Sequence, residues 1–180
     1  SARRVPAFGS VKVPGPGSKL PFSVLLNNVR SLYNVGSIFR TADGAGVEKI
    51  WLCGINGYPP DSRISKTALG AEAAVPWEHR REAAEVLREL KGRGYQMVFL
   101  EQLSSSIPYQ EFYPRSPVCL VLGNENTGVS EELLSYCDQA IEIEMTGLKH
   151  SLNVTVAFGI AAYDLRRKIL ASLSINKIVY

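Results

Sequence analysis

The chain has 180 residues, 46% of them hydrophobic and 21% charged, and a formal net charge of +3. That length supports one domain with a substantial core, and the balance is that of a globular protein, not of a disordered or fibrous one. The charge permits a nucleic-acid partner without demanding one, and no apolar run reaches the roughly 18 residues of a membrane span.

Residues 1–20 carry Pro6, Pro14 and Pro16 with Gly9, Gly15 and Gly17, and are basic through Arg3, Arg4, Lys12 and Lys19. They read as an irregular arm, either a solvated tail or an RNA contact. The chain begins at Ser1, as a processed protein or a piece of a longer one would. Phe22–Leu26 is a short strand. Asn34 is expected to cap a helix whose apolar positions Val35, Ile38, Phe39 and Ala42 follow helical spacing, with Gly44 and Gly46 ending it. On the other side Gly36, Arg40 and Gly44 recur every four residues, so one arginine stands between two bare glycines where a ligand could meet it. The competing reading is an exposed Arg40–Asp43 pair, which is worth little.

Lys49–Cys53 is the second strand. A loop over Gly54–Arg63, a helical turn over Ile64–Leu69, and an amphipathic helix over His79–Lys91 are expected next. Tyr95–Leu100 is a strand, Pro108–Tyr113 a turn, and Val118–Leu122 a continuously apolar strand of the buried parallel type. That strand ends in GNENTGVSEELL, and the C-terminal edge of a parallel strand is where α/β sheets bind ligands. Gly123 there permits close backbone approach. Glu125 is open to three readings: a solvated loop residue, a partner for an arginine, or an organiser of a neighbouring loop. Ser130 with Glu132–Leu134 opens a helix.

Ala140–Glu144 is a further β-type run, followed by the turn-like MTGLKH and a helix for which Ser151 is the expected N-cap. The helix is apolar all round as far as Leu165, which predicts burial. Its polar residues Ser151, Asn153 and Thr155 crowd the first turn, where free N–H groups would meet a ligand. The strand–helix alternation predicts an α/β fold with a mostly parallel sheet. The expected organisation is a basic arm over 1–20, one domain over 21–172 and a tail over 173–180. Cys53, Cys119 and Cys137 lack CxxC spacing and read as reduced thiols of a cytoplasmic protein. GxGxxG, GxxxxGK[ST] and GxSxG are absent, and His79 and His150 have no partner at metal spacing, so no metal is expected.

Three segments, NVGSIFRTADGAG, LVLGNENTGVS and IEMTGLKHSLNVTVAFGIAAYDL, resemble in order and spacing the three motifs of the SpoU/TrmH family of RNA ribose methyltransferases. The resemblance covers roughly Phe22 to Leu165. It departs from the family pattern at Glu144, where the third motif usually has proline, and at Asn126, where the second often has glycine. It implies the SPOUT fold, an α/β domain with a C-terminal deep trefoil knot. It also implies S-adenosylmethionine as cofactor, the ribose 2′-hydroxyl of a transfer or ribosomal RNA as acceptor, and a homodimer. Carried over by position, Asn34, Arg40, Glu125 and Asn153 are the catalytic residues. Leu100, Leu122, Gly123, Asn124, Ile143, Met145, Ser151 and Leu152 hold the cofactor, while Arg30, Arg40 and Ser151 contact RNA. A module of the same fold that binds RNA without catalysis, and a small-molecule methyltransferase, are the alternatives. No aromatic cluster near the three motifs looks built to hold a flipped base, so recognition is expected to depend on RNA shape plus a missing or short N-terminal arm.

Overall fold

The computed structural model describes residue 15 and residues 17–178, with side chains as far as 174. Most of the expected basic arm therefore lies outside the described residues. A seven-stranded sheet runs in the order β3-β2-β1-β6-β4-β7-β5, and every strand pair in it is parallel. The strands are β1 (Phe22–Asn27), β2 (Lys49–Cys53), β3 (Trp77–Arg80), β4 (Gln96–Leu100), β5 (Ile107–Pro108), β6 (Val118–Leu122) and β7 (Gln139–Glu142). The two central strands, β1 and β6, are buried at every residue. The unbroken apolar run of β6 suits a strand covered on both faces, and the buried polar residues of β1 are bonded, Ser23 to Glu48 and Asn27 to Ser130.

Alternation along the strands builds two cores. Val24, Leu26, Ile50, Leu52, Val98, Leu120 and Leu122 point to one face, under the helices α1 (Leu32–Ala45), α2 (Ser62–Ala68), α3 (Ala71–Ala74) and α5 (Val154–Ile178). Leu25, Trp51, Cys53, Met97, Phe99, Cys119 and Val121 point to the other, under α4 (Ala83–Gly92) and a 3-10 turn at Glu131–Tyr136.

Three local readings are corrected. The expected helix over His79–Lys91 starts only at Ala83, because Trp77–Arg80 pairs in parallel with Ile50–Cys53. Strand pairing here overrides the helical propensity of a charged run. The cap of α1 is Ser31, whose side chain accepts from the Asn34 N–H at 3.2 Å; Asn34 sits inside the first turn. Likewise α5 is capped by Asn153, not Ser151: the Asn153 Oδ1 accepts from the Thr155 N–H at 2.8 Å. A side-chain cap of this kind is worth about 1 kcal/mol.

The spaces beside Gly36 and Gly44 are also filled from within. A Cβ at Gly36 would run into the Thr67 hydroxyl and the Ile64 carbonyl, and one at Gly44 would meet the Tyr163 hydroxyl. Gly36 is closed by the main chain of α2, while at Gly44 the neighbour is only the end of the half-exposed Tyr163 side chain. The left-handed Gly46 (φ 77°) closes α1, its N–H reaching the Ala42 and Asp43 carbonyls.

Helix α5 packs on α1 and on the turn at Tyr109–Glu111. Lys168, 5% exposed, fixes that second contact. Its ammonium donates to the carbonyls of Tyr109 (3.0 Å), Gln110 (2.9 Å) and Phe112 (2.5 Å) and pairs with Asp164 at 2.6 Å. A buried cation is tolerable only when it is satisfied in this way. The expectation of a helix buried all round does not hold within one chain, since Val156 and Tyr163 are about half exposed. Among the described residues no helix is long and apolar enough to cross a membrane.

Candidate active site

Strands β1 and β6 are neighbours, yet the chain leaves them toward opposite edges of the sheet. Such a switch opens a crevice at the C-terminal ends of the strands, the usual ligand position in an open parallel sheet. A cavity of about 310 Å³ lies along this rim, walled by the ends of β4, β6 and β7 and by the entry to α5.

The loop after β6 is the most constrained part of the wall. Asn124 and Gly128 exchange backbone hydrogen bonds of 3.0 and 2.9 Å. The Asn124 Oδ1 accepts from the N–H groups of Asn126 (2.8 Å) and Thr127 (3.1 Å), and its Nδ2 donates to the Asn28 carbonyl at 2.9 Å. Gly128 adopts φ 74°. A Cβ at Gly123 would strike the main chain of Gly128 and Val129. The close approach that Gly123 allows is thus made by the protein's own loop. From the end of β4, the Glu101 carboxylate accepts from the Val129 N–H at 2.8 Å and locks the loop to its neighbour.

Glu125 settles among its three readings as an organiser of the adjacent loop. Its carboxylate accepts from the N–H groups of Arg30 (3.4 Å) and Ser31 (3.3 Å) and from the Asn34 side-chain amide (3.3 Å). It stands at the N-terminus of α1, where free N–H groups and the helix dipole favour a negative charge. It forms no ion pair among the described residues.

Seven of the eight residues expected at the cofactor, namely Leu100, Leu122, Gly123, Asn124, Ile143, Ser151 and Leu152, line the cavity. Met145 does not, because the chain turns outward after Ile143 and returns only at His150. Of the expected catalytic residues, Glu125 lines the cavity and Asn34 is bonded to it. Asn153 caps α5 at the cavity's edge, next to the lining residues Leu152 and Val154. Arg40 stands apart, in a second concavity with Ser37, Thr41, Lys66, Thr67, Leu69 and Tyr163. It is exposed and forms no ion pair among the described residues, so the pairing with Asp43 is not made. Arg30 and Ser151 are exposed at the rim. Sequence reasoning missed Glu101, Gln102, His150, Val154 and Ala157, all of which line the cavity. Gln102 and His150 are joined by a 2.6 Å bond from the Gln102 side chain to the His150 carbonyl. The only signal for Glu101 was its place directly after an apolar strand.

Buried thiols play no part in this wall. Burial pushes the Cys53 thiol up to about 12 and that of Cys119 higher still, which removes them as nucleophiles at neutral pH. No group of His, Cys, Asp or Glu among the described residues is arranged to hold a metal ion.

Comparison with known proteins agrees with this geometry. Residues 21–163 match the SpoU rRNA Methylase family. The tRNA (guanosine(18)-2′-O)-methyltransferase of Escherichia coli K12 is 31% identical over 149 residues, 81% of this chain, which spans 63% of that relative's length. The protein of the same name from Aquifex aeolicus is 34% identical over 149 residues, or 81% of this chain and 68% of its own. Among solved structures, the A. aeolicus TrmH/SpoU tRNA modifying enzyme superposes with a TM-score of 0.78 at 29% identity, covering 91% of this chain and 88% of that one. An AdoMet-bound rRNA methyltransferase from Sinorhizobium meliloti gives 0.77 at 32% identity, over 86% and 57%. With a family match across most of its length, laid over the same rim that forms the cavity, this chain belongs to the SpoU methylase family.

Proposed function

We propose that this protein transfers a methyl group from S-adenosylmethionine to a ribose 2′-hydroxyl of a transfer or ribosomal RNA. The observation that carries the reading is the meeting of all three motif segments at one rim: the α1 N-terminus, the Gly123–Gly128 loop and the entry to α5. The cavity fits the cofactor in size and lining. About 310 Å³ lies at the lower end of small-molecule sites. Leu100, Leu122, Leu152 and Ala157 offer apolar contact for an adenine, and the loop main chain offers polar groups. S-adenosylmethionine, when bound, supplies an electrophilic methyl on a sulfonium. What remains for the chain is to hold, orient and exclude water.

The reaction joins a developing oxyanion to a cation, so charge disappears, and a pocket shielded from water favours it. Glu125 holds the Asn34 amide and the α1 N-terminus in place beside the pocket, where they can position the ribose. Positioning alone can supply several kcal/mol of a barrier of this kind. Arg40 is a poor proton acceptor, since a guanidinium stays charged at neutral pH. Its exposed place outside the cavity suits a clamp on RNA phosphate. The proton leaves through a phosphate oxygen or water.

Two structural proposals accompany this one. The segment from Ile143 to Asn153 forms the threaded part of a trefoil knot, a reading supported by family membership and by the clamping of α5 through Lys168 onto the 109–112 turn. Two copies pair through α1 and α5, supported by the exposed apolar Val156, Tyr163 and Leu173. Sedimentation as a monomer at micromolar concentration removes the second claim. The function is tested by incubating the protein with methyl-labelled cofactor and cellular RNA, then digesting to nucleosides. Label on a 2′-O-methylribose is expected, and label on a base overturns the assignment.

A further inference from the structure

The loop after β2 carries a surface that the three motifs do not include. Ile55 is 67% exposed and Tyr58 49% exposed. Tyr58 is nevertheless fixed from behind. Its ring lies 4.3 Å from the His79 ring, tilted by 33°, and 6.1 Å from that of Trp77. These three aromatics come together because β3 pairs alongside β2, which places His79 opposite Leu52 at the sheet edge.

The loop is tied directly to the segment that leads from β1 into the first motif. The Ile55 N–H donates to the Asn28 Oδ1 at 2.8 Å, and the buried Asn56 accepts from the Val29 N–H at 2.6 Å. One residue further, the Arg30 N–H reaches Glu125. These bonds join the Ile55–Asn56 segment, two residues before Tyr58, to the Glu125–Asn34 pair. Two exposed arginines lie on the segments bonded to this loop and its neighbours. Arg30 lies on the cavity side, and Arg81 lies where its carbonyl accepts from the Gly54 N–H at 3.2 Å. Neither forms an ion pair among the described residues.

An aromatic face held by a second ring, with two exposed arginines, unpaired among the described residues, on the segments bonded to its loop, has the chemistry of a single-stranded nucleic-acid platform. We propose that Tyr58 and Ile55 form a stacking ledge for an unpaired base next to the nucleotide whose ribose is methylated, with Arg30 and Arg81 on the flanking phosphates. The inference rests on the RNA reading given above and adds to it the part of the RNA that is read. Because His79 already orders the tyrosine, stacking costs little side-chain entropy. Stacking accepts any base, so the ledge selects for an unpaired nucleotide and not for a sequence.

Two probes of equal charge test it: a fluorescein-labelled 12-nucleotide oligoadenylate and an abasic ribose-phosphate oligomer of the same length. The wild-type protein is expected to bind oligoadenylate roughly tenfold more tightly, the loss of one base–aromatic stack. Tyr58→Ala should bring the two affinities together and Tyr58→Phe should keep them apart, with Ile55→Ser as a second, surface-only variant. Equal binding of both probes by the wild type overturns the ledge without needing any variant. Conversion of a dimer to monomers by Tyr58→Ala also overturns it, by showing a protein interface. Methyl transfer to cellular RNA, measured on the same preparation, separates the two claims. Transfer without a preference for oligoadenylate sinks the ledge alone, whereas a preference without transfer or cofactor binding sinks the methyltransferase reading and the ledge's place beside a methylated ribose, and leaves a base-stacking surface.

Discussion

Around β4, β6 and β7 the C-terminal rim is closed by main chain packed on main chain, whereas around β1, β2 and β3 it ends in exposed side chains. Gly123 against Gly128 and Val129, and Glu101 holding the Val129 N–H, make the first half concave and stiff. Ile55, Tyr58, Arg30 and Arg81 make the second half accessible. A small cofactor needs the first kind of surface and a macromolecule needs the second. Glu125 is the joint between them, anchored in the closed loop and bonded to the start of α1.

The hardest break of this arrangement is Gly123→Ala. The added methyl has no free volume, because the obstacle is backbone, which cannot rotate away. Overpacking of this kind costs about 1–3 kcal/mol, and here it is relieved by opening the wall of the cavity. Calorimetric affinity for S-adenosylmethionine is expected to fall on the order of 100-fold, which is about 2.7 kcal/mol. The same substitution at Gly92, where nothing lies within 4 Å of the added atom, is the control. An unchanged affinity in Gly123→Ala removes the claim that backbone packing shapes the closed half.

Next in size is Glu125→Ala, which cuts the joint and leaves both halves folded. It removes the acceptor for two N–H groups and one amide at partly exposed positions where water can substitute, so stability falls only modestly. Positioning suffers more: a misplacement of about 1 Å can cost roughly 100-fold in rate. Single-turnover methyl transfer should drop by about that factor while cofactor affinity changes less than about fivefold. Glu125→Gln keeps one acceptor oxygen and should fall between. A loss of cofactor binding equal to the loss of rate would show that Glu125 belongs to the closed half alone.

Much of the closed half was legible in the chain, and little of the open half was. Val118–Leu122 followed by Gly-Asn-Glu announces a buried strand running into a binding loop, since an unbroken apolar run has one reading in a parallel sheet. Local pattern does not settle which of two nearby polar residues caps a helix. Ser31 and Asn34 both suit the role, and Glu125, 91 residues from Asn34, completes the site from outside. The same holds for Ser151 and Asn153. Gly36 and Gly44 looked vacant because their neighbours, Thr67 and Tyr163, arrive from α2 and α5. The ledge was hidden for a further reason. Trp77–Arg80 precedes a run of good helix formers, so the strand that carries His79 to Tyr58 is visible only once its pairing with β2 is known.

A smaller effect is expected where the comparison is least direct, at Arg40. It lies outside the closed half, so Arg40→Ala should leave S-adenosylmethionine affinity unchanged. Loss of one phosphate contact should weaken RNA binding about threefold to tenfold and lower the slope of log affinity against log salt by about one. Filter binding at three salt concentrations measures both. Loss of cofactor binding in a folded Arg40→Ala protein would show that this arginine reaches the cavity, and the division between cofactor and RNA surfaces would have to be redrawn.

The smallest effect concerns the layer beneath both halves. Cys53 ends β2 under the open half, and Cys119 lies within β6 under the closed one. Burial raises both thiols, Cys53 from an ordinary value near 9 to about 12. In the unfolded chain they ionise at the ordinary value, so between the two values the unfolded state holds fewer protons and stability falls as pH rises. Their contribution is intact well below pH 9 and is lost progressively as pH rises through it, the loss at pH 9 being on the order of 1 kcal/mol for the pair. Urea unfolding at pH 7 and pH 9 reads this, and Cys119→Ala should roughly halve the difference, leaving the share of Cys53. Native-state alkylation then compares the halves directly, because a buried thiol reacts only when its surroundings open. Half-buried Cys137 should react first, Cys53 next and Cys119 last. Equal rates for Cys53 and Cys119 would mean that the open half of the rim is as rigid underneath as the closed one, and that its accessibility lies in the loop alone.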